Sequence, residues 1–146
     1  MTLTKTDILN ILPHRNDILL LDSAVPAPDG CSIRAEWYLH PEWQVFKDHF
    51  PGYPVLPGIY ITESMAQAAA LLLLEKREHR GKLPLFLGIS QMRFLRPALP
   101  GNSIQLCASV LTNAAPDLYE FRVSASVNGE KIAAGKLSLA LKPCPK

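Results

Sequence analysis

The sequence predicts an α+β fold in which one long, buried helix is wrapped by a largely antiparallel β-sheet. Residues 59–80 carry the longest helical period, and its first two-thirds is apolar nearly all round, so it must be covered on several sides. Three segments, 32–38, 103–111 and 119–127, alternate apolar and polar side chains with the period of a half-buried strand. Asn128-Gly129 joins two of the later runs with the signature of a two-residue hairpin turn, which makes its neighbours antiparallel. A sheet that wraps the helix is the layout that buries it.

The 146 residues, 48% hydrophobic and 19% charged, suit one globular domain spanning 1–146, with no room for two cores. A net charge of +2 argues against a dedicated nucleic-acid binder. The densest apolar run, 68–74, is far short of a membrane span, and Met1–Asp7 reads as neither signal nor transit peptide. A cytoplasmic location is therefore expected. Cys31, Cys107 and Cys144 are scattered with no Cys-x-x-Cys pair, which predicts reduced thiols and no metal site.

In chain order, 6–12 reads as a short helix with a capping Thr or Asp, stopped by Pro13. Residues 18–22 read as a short strand. In the strand 32–38, Ile33, Ala35 and Trp37 share one face. Residues 39–58 hold Pro41, Pro51, Pro54 and Pro57, a pattern that predicts an irregular segment, while Trp43, Phe46, Phe50, Tyr53 and Val55 predict that it is packed. Long packed loops are usually functional. The helix 59–80 follows and Gly81 ends it; 85–95, 103–111, 119–127 and 131–141 are strands.

Glu63 stands in the apolar half of the helix, where desolvation disfavours a charged carboxylate and helps a carboxylic acid keep a proton to donate. Gln67 lies one turn further on the same face, within hydrogen-bonding reach. His49 sits in the proline-rich loop between Phe46 and Phe50, and histidine is the usual general base near neutral pH. Gly58 opens the helix, where unpartnered amides favour a carbonyl oxygen or oxyanion. Each has a plainer alternative: Glu63 as a structural ion-pair partner, His49 as a loop histidine, Gly58 as a turn residue. His14, in a Pro-His-Arg turn, His40 and His79 are weaker candidates. Lys76, Arg77, Arg80, Lys82, Arg93 and Arg96 make two basic segments suited to an acidic partner. Nucleotide-binding, serine-hydrolase and zinc-protease motifs are absent from the sequence.

The run His49-Phe-Pro-Gly-Tyr-Pro-Val-Leu-Pro-Gly58 followed by Glu63-Ser-Met-Ala-Gln67 resembles the signature of FabZ-type 3-hydroxyacyl-acyl carrier protein dehydratases. Leu12-Pro-His-Arg15 with Leu20-Leu-Asp22, and Gly88 to Pro97 with Pro100-Gly101, resemble the family's flanking motifs. The resemblance implies the hotdog fold and a homodimer with shared active sites, in some members a trimer of dimers. It implies His49 as base, Glu63 as acid, Gly58 as the carbonyl-binding amide, and Phe50, Tyr53, Pro57, Ile59 and Gln67 as substrate-binding residues. It also implies an acyl carrier protein bearing the substrate on its phosphopantetheine arm, and neither metal nor redox cofactor; we expect Arg93 and Arg96 to meet that carrier.

The chain departs from the family pattern at four places. Asp48 stands where Gly commonly precedes the histidine, and a carboxylate facing the ring would favour the imidazolium and weaken the base. Tyr53, Asn16-Asp17 and Ser23 replace residues that are often basic, aromatic-Pro and Arg. These changes leave a specialised polyketide or polyene pathway open beside fatty acid synthesis. The rival readings are a hotdog acyl thioesterase and a non-catalytic acyl-thioester binding module; His49 at its spacing from Glu63 favours dehydration.

Overall fold

The computed structural model describes residues 1–145; Lys146, the last residue of the predicted domain, lies outside them. Six strands, β1 (Ser23–Pro26), β2 (Ser32–Tyr38), β3 (Leu83–Phe94), β4 (Ser103–Ala115), β5 (Leu118–Val127) and β6 (Glu130–Lys142), form one sheet in the order β1-β2-β4-β5-β6-β3. Every pairing is antiparallel. Three α-helices, α1 (Lys5–Ile11), α2 (Gln44–Asp48) and α3 (Gly58–Leu74), complete the fold. The helix α3 packs against β2, β3, β4, β5 and β6, and it is buried at every position from Ser64 to Leu74. This is the α+β hotdog arrangement expected from the sequence.

The alanines of α3 let strand backbones approach, and Leu71, Leu72, Leu73 and Leu74, all fully buried, fill the space above them. Each such leucine contributes roughly 1.5–3 kcal/mol through burial alone. From the sheet side, Ile33, Ala35 and Trp37 of β2, Ile104, Leu106 and Ala108 of β4, and Phe121, Val123 and Ala125 of β5 meet the helix core, as their alternation predicts. Asn128 and Gly129 both take positive φ, 51° and 81°, which is the I′ geometry that sets the β5–β6 register.

Four expectations need correction. The opening helix starts at Lys5, because Thr4 caps it and Asp7 returns a bond to the Thr4 amide in a capping box. No strand forms at 18–22: Asn16–Ile18 make a 3-10 turn, and the Leu20 amide and Ile18 carbonyl bond the Gln67 side chain, not a neighbouring strand. The loop 39–58 contains α2, formed in the proline-free window after Pro41 by packing Trp43 on Phe46 and Tyr60 and burying Phe46. The central helix ends at Leu74, since the charged segment beyond it has no apolar stripe to bury. There Arg80 donates to the carbonyls of Leu74 and Glu75, both at 3.1 Å, satisfying helix-end acceptors, and 77–79 forms a 3-10 turn.

The strand β3 departs from simple alternation. Its register with β6 shifts between Phe86 and Gly88 and again between Ser90 and Arg93, with Gln91 at φ 53°. Gly135 on β6 permits the second bulge, since a Cβ there would lie 2.8 Å from the Met92 Cα. The bulge brings Met92 into the lining of the cavity described next.

Candidate active site

The helix α3 supplies the acidic half of the site. Pro57 is its N-cap and Gly58 its first residue; no side chain caps it, and among the described residues the Gly58 amide has no hydrogen-bond acceptor. Gly58 is required by a neighbour: a Cβ there would stand 3.1 Å from the Phe94 ring, so glycine lets that ring close over the helix start. A cavity of about 590 Å³ opens beside it, lined by Gly58, Ile59, Thr62 and Glu63 of α3 and by Phe86, Ile89, Met92 and Phe94 of β3. Glu63 is its one ionisable group.

Glu63 is held from two directions. Gln67 Nε2 donates to Glu63 Oε2 at 2.8 Å, and His14 Nε2 lies 3.6 Å from the same oxygen. Gln67 is fixed in turn, accepting from the Leu20 amide at 3.0 Å and donating to the Ile18 carbonyl at 2.6 Å. With its polar atoms so committed and only 1% exposed, Gln67 supports Glu63 from within the core. The Glu63 side chain keeps a quarter of its surface exposed, so the helix position does not by itself desolvate the carboxyl as fully as the sequence suggests.

His49 is placed by main chain. Its amide caps α2 by donating to the Val45 carbonyl, its carbonyl accepts from the Val55 amide, and its Nδ1 lies 2.9 Å from the Val55 carbonyl. A carbonyl only accepts, so neutral His49 carries its proton on Nδ1 and keeps the Nε2 lone pair free to take another. Phe50 stacks on the ring at 3.9 Å between centroids. Asp48, exposed, accepts from Gln44 Nε2 at 3.3 Å, and no ion pair joins it to His49 among the described residues. The departure at position 48 thus does not load the base with a facing carboxylate.

Of the residues singled out from sequence, Gly58, Ile59 and Glu63 line one cavity; His49, Phe50 and Tyr53 lie outside its lining, and Phe50 and Tyr53 are 50% and 65% exposed. No hydrogen bond or ion pair joins His49 to Glu63 within the chain among the described residues. The basic segments separate by role. Lys76 donates to the Gly30 carbonyl and Lys82 pairs with Asp117 at 2.8 Å, while Arg96 pairs with Glu130 at 2.8 Å. Arg93 shares a groove on the outer face of the sheet with Arg122, Lys131 and Lys136 and no carboxylate.

Sequence reasoning passed over Thr62, Met92 and Phe94, and gave His14 little weight. A readable signal existed for His14, its place in the Leu-Pro-His-Arg segment, and for Thr62, one turn after Gly58 and beside Glu63 on α3; Met92 and Phe94 depend on the β3 bulge. Burial pushes the His14 imidazole below its ordinary range; Glu63 opposes that shift and Arg15 adds to it. No helix among the described residues is long and apolar enough to cross a membrane, and no group of three or more metal-ligating side chains occurs among them.

A FabA-like domain model matches residues 12–136. A FabZ 3-hydroxyacyl-[acyl-carrier-protein] dehydratase of Enterococcus faecalis is 40% identical over 97% of this chain and 99% of its own length. One from Caldicellulosiruptor saccharolyticus is 36% identical over 94% and 97%. In structure, a chain of the dehydratase heterocomplex ApeI:P of Xenorhabdus doucetiae superposes with a TM-score of 0.77 over 94% of this chain and 91% of its own, at 20% identity. A hypothetical thioesterase of Streptococcus pneumoniae superposes at 0.61 over 80% and 83%, at 8% identity, and shares the fold alone. With the His49-to-Gly58 loop, Glu63 and its Gln67 support arranged on a sheet-wrapped helix, the chain belongs to the FabA-like family, among its FabZ-type dehydratases.

Proposed function

We propose that this protein dehydrates a 3-hydroxyacyl thioester, carried on the phosphopantetheine arm of an acyl carrier protein, to the trans-2-enoyl thioester. The observation that carries this reading is the pairing of chemistries: a histidine with a free Nε2 lone pair on one element and a carboxyl beside an uncapped helix start on another. The Gly58 amide binds the thioester carbonyl oxygen and stabilises the negative charge that develops on it. Nε2 of His49 removes the α-proton, the β-carbon–oxygen bond breaks as Glu63 protonates the departing hydroxyl, and a carbon–carbon double bond and one water form. One proton moves to His49 and one leaves Glu63, so return of a proton between them resets the site. The reaction moves protons and releases one water with no net redox change, so it requires no redox group.

The two halves meet across a homodimer, His49 of one subunit facing Glu63 of the other. Support comes from β3, an edge strand with one side unpaired and Leu85, Phe86, Leu87 and Ile89 exposed, a surface that a second copy would cover. Arg93, in its unopposed basic groove, is the anchor for the acidic carrier; Arg96, already paired with Glu130, contributes less. Three free, exposed cysteines suit a reducing, cytoplasmic compartment.

Mass spectrometry of carrier-bound 3-hydroxyacyl substrates tests the reading. The protein should remove one water from the tethered acyl group, and His49→Ala and Glu63→Gln should each slow this by about a thousandfold. Release of free acid would instead mean a thioesterase. An unchanged acyl group across several chain lengths would favour a binding module.

A further inference from the structure

Resting on Glu63 as the acid of the proposed dehydration, we infer that His14 is a positioning residue: with Gln67 it engages Oε2 of the Glu63 carboxyl, so the transferable proton resides on Oε1. Three observations converge on it. First, His14 Nε2 and Gln67 Nε2 both face the same oxygen, at 3.6 Å and 2.8 Å, while Oε1 has no partner among the described residues. Second, His14 Nδ1 is sealed from solvent with no hydrogen-bond partner among the described residues. An N–H forced into that pocket would be a buried, unsatisfied donor, and an imidazolium would have to place one there, so the form that suits the site is neutral with its proton on Nε2. Third, the surroundings supply little competing charge. Arg15 donates to the carbonyls of Leu12 and His14, and the other residues lining the cavity, from Gly58 to Phe94, are uncharged.

A carboxylic acid that receives N–H groups on one oxygen keeps its own hydrogen on the other. Gln67 and His14 therefore do more than restrain the side chain: they decide which oxygen delivers the proton to the leaving hydroxyl. At 3.6 Å the His14 contact is longer than a hydrogen bond. Catalytic bonds are commonly long before substrate is bound, and a shift of a few tenths of an ångström closes this one.

The test compares His14→Phe, which keeps a ring and loses the donor, with His14→Gln, whose amide can present an N–H near the former Nε2. In the dehydration assay His14→Phe should lower kcat roughly tenfold with little change in KM, the size expected for losing one hydrogen bond. Because that donor favours the ionised carboxyl, its loss should also move the alkaline limb of the kcat profile to higher pH, and His14→Gln should restore both. A structural role would lower kcat without moving the limb, and that result, or an unchanged kcat, would overturn the inference. NMR of the ring nitrogens in the unaltered protein provides a reading independent of folding or activity: neutral His14 protonated on Nε2 supports the inference, and protonation on Nδ1 overturns it. If Glu63→Gln keeps full activity, the acid assignment itself fails, whatever His14 does.

Discussion

His49 and Glu63 are held by different means. His49 is fixed locally: its amide, carbonyl and ring all bond within the span from Val45 to Val55, and the stacked Phe50 is its sequence neighbour. Glu63 is fixed at long range, through Gln67 to main chain at Ile18 and Leu20, which lie 49 and 47 residues from Gln67 in sequence, and beside His14. A base that must swing little but keep one nitrogen free can be built from a loop. An acid whose proton must sit on a chosen oxygen needs donors from a second part of the chain.

The largest effect should come from cutting the long-range support. Gln67→Leu fits the volume but strands the buried Leu20 amide and releases Glu63, so it should cost about 2–3 kcal/mol in urea unfolding and slow turnover by an order of magnitude or so. If stability falls while turnover holds, Gln67 serves the core and not the acid.

The loop should be more forgiving. Trp43 packs edge-on against Trp37, Phe46 and Tyr60, and its loss in Trp43→Ala should destabilise the protein by about 1–3 kcal/mol. Turnover by the folded fraction should change only a few-fold, because the ties from His49 to Val45 and Val55 do not run through that ring. A loss of turnover equal to that of Gln67→Leu would erase the distinction between the two halves.

That distinction also marks what the sequence made legible. The prolines of 39–58, the helix-start glycine and the aromatic neighbours of His49 are local signals, and they located the loop and singled out His49 within it. Strand alternation and the Asn128-Gly129 turn likewise gave the sheet and one hairpin, since period and turn chemistry act over a few residues. What escaped was non-local. Residues 18–22 have strand composition, yet the Ile18 carbonyl and Leu20 amide are taken by a glutamine from α3, and the Leu19 and Leu21 carbonyls face Lys5. The bulges of β3 depend on Gly135 across the ladder, and the helix end at Leu74 depends on Arg80 folding back. His14 looked like an ordinary turn residue because its partner, Glu63, lies far off in sequence on α3.

The smallest expected effect is on acid stability. Burial lowers the affinity of both His14 and His79 for a proton in the folded state, with Lys82 reinforcing the shift at His79. The unfolded chain takes up those protons near the ordinary value of 6.5 and the folded chain does not, so stability should be level above that pH and decline below it. His79→Gln should flatten part of that decline, measured as the urea midpoint between about pH 7.5 and about pH 5.5. A midpoint that rises on acidification would contradict the sign.

The claim on which the account turns is that His49 and Glu63 act together from different subunits, and mixing two dead variants tests it most directly. His49→Ala and Glu63→Gln chains, unfolded together and refolded in equal amounts, should form mixed dimers containing one intact His49–Glu63 pair. Random pairing should then restore roughly a quarter of wild-type dehydration from two inactive parents. Mixed dimers that form and remain as inactive as their parents would place the two residues in the same subunit or outside the reaction, and would contradict the account.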